Sequence, residues 1–187
     1  MVNPRLRVIF HGLGLLCAVS LAGAAAGQSH ALENQVKGVF LAKFAAYVMW
    51  PPAALGAPSE PIKLCIIGRD PFGGQLDQIV AGQRVDLHPF LIRRLSGTAA
   101  AAGCQIAFLG GTATQGISAM SDALRGKAIL TVTDAALGAE RGIVHFTLKD
   151  GRVRFYIDDA QAAQANLAIS ARLLSLALIV NPRPQPS

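Results

Sequence analysis

The chain has 187 residues, of which 52% are apolar and only 15% charged, with 17 Lys/Arg against 11 Asp/Glu. So much apolar content excludes a disordered polyelectrolyte. The cations are scattered, with Arg93-Arg94 the only basic doublet and no aromatic interleaving, which argues against a nucleic-acid interface. Arg5 and Arg7 precede an apolar run, Val8 to Leu21, and then the small residues Ala22 to Gly27. That layout reads as a secretory signal peptide with a short remnant over residues 1–31. The apolar run of about 14 residues falls short of the roughly 20 needed to span a bilayer. Cleavage after Ala24, Ala26 or Ala31 is compatible with the pattern, and the mature protein is expected to be exported. Cys17 follows Leu16 inside the apolar run, which does not suit a lipoprotein.

The mature part, from Leu32, carries a net charge of about +4 and is long enough for one folded domain over 32–180. Its two cysteines, Cys65 and Cys104, suggest a disulfide in an oxidising compartment, or two separate buried thiols. Leu32 to Trp50 reads as a helix, with Val36, Val39, Phe40, Phe44, Tyr47 and Val48 at three- and four-residue spacing. Trp50-Pro51-Pro52 ends it, and Ala53 to Pro61 is a loop. Ile62 to Gly68 is a continuous apolar run, as in a strand covered on both faces. Asp70-Pro71 predicts a helix from Pro71 to about Val80.

Strands are expected at Val85 to Leu95, with Pro89 at an edge or break, at Gln105 to Leu109 and at Ala128 to Val132. A helix at Ile117 to Leu124 lies between the last two. Asp150-Gly151 sits between the alternating runs Ile143 to Leu148 and Val153 to Ile157 and predicts a hairpin. A final helix is expected from Ala160 to about Leu178, then a proline-rich tail, 181–187, with no reason to fold. The alternation predicts an α/β fold: a three-layer sandwich with a mixed, mostly parallel sheet, a C-terminal β-hairpin and a closing helix.

The residues offer little chemistry. Gly68, Arg69, Asp70 and Phe72 lie on a strand-to-helix turn, where open α/β sheets bind ligands, but match neither a dinucleotide fingerprint nor a P-loop. His88 and His145 are isolated in strands without partners at metal spacing, so no metal or other cofactor is expected. Asp158-Asp159 suits a helix cap and first-turn charge better than a catalytic carboxylate pair. No serine occupies a nucleophile elbow, and neither cysteine has the setting of an activated thiolate. No enzyme activity is expected. Arg154 and Tyr156 on the hairpin read equally well as interface anchors or as a plain solvent face beside core Phe155 and Ile157.

Several segments resemble the YfiR-like family in order along the chain. They are Gln35 to Phe44 running into Met49-Trp50-Pro51, Leu64 to Gly73, Ile129 to Asp134, Gly142 to Val144, Asp150 to Ile157, and Ala168 to Ala177. The resemblance implies a periplasmic, non-catalytic protein that represses an inner-membrane diguanylate cyclase by contact with its periplasmic region. Cyclic-di-GMP synthesis, and with it biofilm growth, would then be held down until a partner at the outer membrane sequesters the repressor. A homodimer is also compatible with the resemblance. Cys65 and Cys104 correspond to a cysteine pair of the family; a second pair found in some relatives is missing, since Ala139 to Ile157 contains no cysteine. Candidate partner residues are Trp50, Arg154, Tyr156 and Arg172. The alternative is a periplasmic small-ligand sensor that uses the turn at Gly68 to Phe72 and feeds a different membrane partner.

Overall fold

The structure, a computed structural model, describes residues 18–57 and 59–184, so Arg5, Arg7, Cys17 and the last three residues lie outside the described residues. Helix α1 (Ala18–Phe44) leads into a 3-10 turn (Ala45–Tyr47), strand β1 (Val48–Met49) and the short helix α2 (Pro52–Leu55). Then follow β2 (Ile62–Gly68), α3 (Gly74–Val80), β3 (Arg84–Val85), β4 (His88–Leu95), a second 3-10 turn (Thr98–Ala100), β5 (Ile106–Gly111) and α4 (Ile117–Leu124). The chain continues through β6 (Leu130–Asp134), β7 (Val144–Lys149), β8 (Arg152–Asp158), α5 (Asp159–Gln164), β9 (Ala168–Ile169), α6 (Ala171–Leu174) and β10 (Val180–Asn181). No helix among the described residues is long and apolar enough to cross a membrane.

Eight strands form one mixed sheet in the order β10-β8-β7-β6-β5-β2-β4-β3, and β1 pairs with β9 in a separate two-stranded sheet. Pairs β2–β4, β2–β5, β5–β6, β6–β7 and β8–β10 are parallel; β7–β8 and β3–β4 are antiparallel. Strands β5 and β6 are buried at nearly every position, which is why their sequences are unbroken apolar or threonine runs. In β2 the alternation assigns Ile62, Leu64 and Ile66 to one core with α1 and α3, and Cys65 and Ile67 to a second core under α4. The first is anchored by Phe40 and Phe44 of α1 against Phe146 and Phe155, with ring centroids 5.4–6.2 Å apart. The three-layer sandwich is thus present, with the hairpin at Asp150-Gly151 as expected. Both turn residues have positive φ (52° and 68°), the left-handed geometry that matches strand twist.

Other expectations need correction. The first helix stops at Phe44 rather than Trp50, because Val48 and Met49 pair with Ile169 and Ala168. Helix α3 starts at Gly74 rather than Pro71; Asp70 instead closes a turn, accepting the Phe72 and Gly73 amides at 2.8 and 3.1 Å. The long closing helix is absent. Asn166 takes a left-handed φ of 55° and ends α5, Ala168–Ile169 joins β1, and Ser170 caps the new helix α6 through the Leu173 amide. Burial of Leu167, Ile169 and Leu173 in the first core outweighs the helical spacing of the run. The tail's first residues are also ordered: Val180 and Asn181 pair with β8, and Arg183 forks onto both oxygens of buried Asp159 at 2.7 Å. Asp158 caps α5 by accepting the Gln161 amide, as its position predicts.

Cys65 and Cys104 are joined by a disulfide, 39 residues apart in sequence, with Cα atoms 6.0 Å apart. The bond lies in the second core, where β2 and β5 are parallel neighbours. Closing a loop of this length removes unfolded-state entropy worth about 4 kcal/mol in the chain-entropy model. The Cys65→Ala/Cys104→Ala variant is therefore expected to lose about 2–4 kcal/mol in denaturant unfolding, and reduced wild type to lose a similar amount. An unchanged midpoint would show that the bond adds nothing.

A second tie is ionic. Lys37, 1% exposed, places its ammonium on Asp134 at the end of β6 at 2.5 Å and on Glu33 one turn back along α1. Asp134 uses its other oxygen on the Ala136 amide. Removing one member of a buried pair strands the other charge, so Lys37→Ala is expected to cost about 3–5 kcal/mol. Lys37→Met paired with Asp134→Leu, which strands no carboxylate on β6, is expected to recover a large part of that loss in the same unfolding assay.

Candidate partner-binding face

The turn after β2 sits where the chain reverses its direction of travel across the sheet, between β2 and β5. The backbone fills that position. Gly68 has φ 87°, and a Cβ there would lie 2.1 Å from the Gly111 carbonyl oxygen, so glycine is required by both conformation and space. The Arg69 amide donates to the same carbonyl at 3.0 Å. Asp70 completes its turn by accepting from Arg94 Nε at 2.8 Å, while Arg94 also reaches Asp77 and the Gly73 carbonyl. Arg94 holds the Asp77 carboxyl below its ordinary range. Phe72 is buried, edge-on to Phe108 with centroids 4.9 Å apart. The sequence-predicted ligand residues Gly68, Arg69, Asp70 and Phe72 are brought together, but Asp70 and Phe72 are occupied in holding the turn shut.

Trp50, expected on a partner surface, is 7% exposed and belongs to the first core. Its indole N–H donates to the Gln105 carbonyl at 3.2 Å, and Gln105 in turn ties Lys63 and Ala54. Proline at 51 extends the backbone at Trp50 and lets the ring fold inward. Arg172 is exposed on α6, with its guanidinium over the Tyr47 ring at 5.9 Å. Among the described residues its ring contact is with Tyr47, away from Arg154 and Tyr156.

Arg154 and Tyr156 lie on one face of the hairpin. The register pairs His145 with Tyr156, Thr147 with Arg154, and Lys149 with Arg152. All six therefore share the face opposite Phe146 and Phe155. Helix α4 covers the neighbouring strands β5 and β6 on this side through the second core, which reaches no hairpin residue. Arg141, in the crossing from β6 to β7, places its guanidinium 4.5 Å from the Tyr156 ring centroid, and the His145 ring lies at 26° to the tyrosine ring with centroids 6.2 Å apart. The Thr133 hydroxyl bridges His145 Nδ1 at 2.8 Å and the Gly142 amide at 2.9 Å. A small cleft of about 80 Å³ opens here between Arg141, His145, Tyr156, Asp158 and Asn181. Tyr156 is thus half-buried within a row of contacts and is not simply free solvent face. Sequence reading missed Arg141, which has no pattern of its own, and passed over Lys149 and Arg152, which hairpin alternation would have placed beside Arg154.

Among the described residues no group of three or more His, Cys, Asp and Glu could hold a metal ion. His145 is buried, and burial first, then Arg141 and Lys37, hold its pKa below the ordinary 6.5 against the pull of Asp134. The unfolded chain takes up a proton near pH 6.5 that the folded chain refuses, so stability declines as pH falls below about 6.5. Thermal unfolding is expected to show a flat Tm between pH 8 and 7 and a falling one from 6.5 to 5.5. The slope is expected to be shallower in His145→Gln; equal slopes would exclude His145 as its source.

No curated protein matches the chain. A family profile described as YfiR/HmsC-like matches residues 34–178, which takes in every strand from β1 to β9 and all of α2 to α6. The chain belongs to the YfiR/HmsC-like family.

Proposed function

We propose that the protein is a periplasmic regulatory binding protein that represses an inner-membrane diguanylate cyclase by contact with the cyclase's periplasmic region, and so limits cyclic-di-GMP and biofilm growth. The match to the YfiR/HmsC-like profile over residues 34–178 carries this reading. The disulfide between Cys65 and Cys104 supports an oxidising compartment. The site geometry favours binding over catalysis: the polar groups at the sheet's switch point hold backbone in place, and the exposed cations lie on a rigid strand pair. A second reading, a small-ligand sensor using the turn at Gly68 to Phe72, is weakened by the contacts that close that turn.

Repression by contact requires that the protein bind one state of the cyclase better than the other, since equal affinity shifts nothing. Driving a partner from 1:99 to 99:1 takes a differential of about 10⁴-fold in affinity. An outer-membrane partner would relieve repression by competing for the same protein. The test is cellular cyclic-di-GMP in a deletion strain, in wild type and in a strain re-expressing the gene. A rise on deletion that re-expression reverses is expected. An unchanged level, with the protein made and exported in wild type, would sink the reading.

A further inference from the structure

The open face of the β7–β8 hairpin gathers four cations around one aromatic ring. Arg141, Lys149 and Arg152 are exposed and Arg154 is half-exposed, and none of the four joins an ion pair among the described residues. Elsewhere Arg94, Arg125, Arg183 and Lys37 are each bound to a carboxylate, while Lys43, Lys63, Arg69, Arg84, Arg93, Lys127 and Arg172 also enter no ion pair among the described residues, so it is the gathering of these four on one face that sets them apart. Glu140, Asp150 and Asp158 adjoin these cations in the chain and enter no ion pair among the described residues, Asp158 accepting the Gln161 amide as the cap of α5, while Asp134, whose charge reaches His145, is bound to Lys37. Tyr156, half-buried and in contact with Arg141 and His145, stands on the same face.

We propose that this face docks an acidic, extended segment of the cyclase's periplasmic region, with its carboxylates read by Arg141, Lys149, Arg152 and Arg154 around Tyr156. The inference deepens the regulator reading and rests on it. Two observations favour a protein carboxylate over an anionic membrane. The hairpin cations are fixed on strands, and alternate positions on a strand stand about 6.6 Å apart, the spacing of alternate side chains on an extended peptide. Three of the four are arginines, whose planar fork takes a carboxylate through two hydrogen bonds.

The test uses purified protein with a twelve-residue polyglutamate peptide, followed by calorimetric titration, and the same variants in cells. Lys149→Glu/Arg152→Glu reverses two exposed cations of the face, and Lys43→Glu/Lys127→Glu makes the same change in net charge elsewhere on the exposed surface. Peptide affinity is expected to fall at least about thirty-fold in the first variant and less than about three-fold in the second. Raising salt from 50 to 300 mM is expected to weaken wild-type binding about ten-fold. In cells the first variant, with unchanged Tm and export, is expected to raise cyclic-di-GMP toward the deletion level, while the second represses normally. Equal loss in both variants, or intact repression by the first, overturns the proposal. So does binding to phosphatidylglycerol vesicles without binding to the peptide. If deletion itself leaves cyclic-di-GMP unchanged, the regulator reading fails; if deletion raises it and the first variant still represses, the docking face alone fails.

Discussion

The buried ammonium of Lys37 constrains this structure more than any other single group. A charge on the inner side of a helix is tolerated only where carboxylates meet it, and Asp134 at the end of β6 offers one such place. Seating Lys37 there sets both the rotation and the axial position of α1 on the sheet. Phe40 and Phe44, one and two turns further on, then meet Phe146 and Phe155 rather than solvent. Apolar attraction is non-directional and by itself specifies the rotation and slide of the helix less sharply than a buried charge pair does. The ion pair removes that freedom.

On the other side of the sheet a covalent bond has the corresponding role. The disulfide ties β2 to the approach to β5 inside the smaller core, to which α4 contributes Met120 and Leu124. The two ties act on opposite faces of the sheet, the ion pair at β6 and the disulfide at β2 and the approach to β5. Between them they make the middle of the sheet rigid and leave its β7–β8 end, bounded by the short strand β10, as the part with an uncovered face. A rigid, preorganised surface suits a regulator, because little conformational entropy is lost when it binds.

The distribution of function-like features over the fold is therefore unusual for an α/β domain. The reversal point of the sheet, the ordinary place for a ligand, is closed by contact between the Arg69 amide and the Gly111 carbonyl. The cationic residues stand instead on an antiparallel hairpin added to the parallel core. A hairpin's two faces differ sharply when one packs on a helix and the other is left open, and here the inner rows are apolar, with Phe146 and Phe155 at their centre, while the outer rows carry Lys149, Arg152 and Arg154.

Much of the architecture follows from local sequence. Continuous apolar runs announced β2 and β5, Asp150-Gly151 announced the hairpin, and helix α4 has the bounds its periodicity implies, because these signals arise within a few residues of chain. The two cysteines could be paired in principle, but only the adjacency of β2 and β5 joins them. The C-terminal region was misread because its apolar spacing fits a helix, whereas the side chains are claimed by three separate neighbours: β1, the first core and β8. Trp50 looked like a surface corner because proline follows it, and its burial depends on a carbonyl 55 residues away. Likewise, sequence alone supplies Arg141, Lys149, Arg152 and Arg154 as scattered cations. Only strand register and the crossing of the Arg141 segment gather them around Tyr156, because a charge patch is a property of positions in space, set by pairing across the chain.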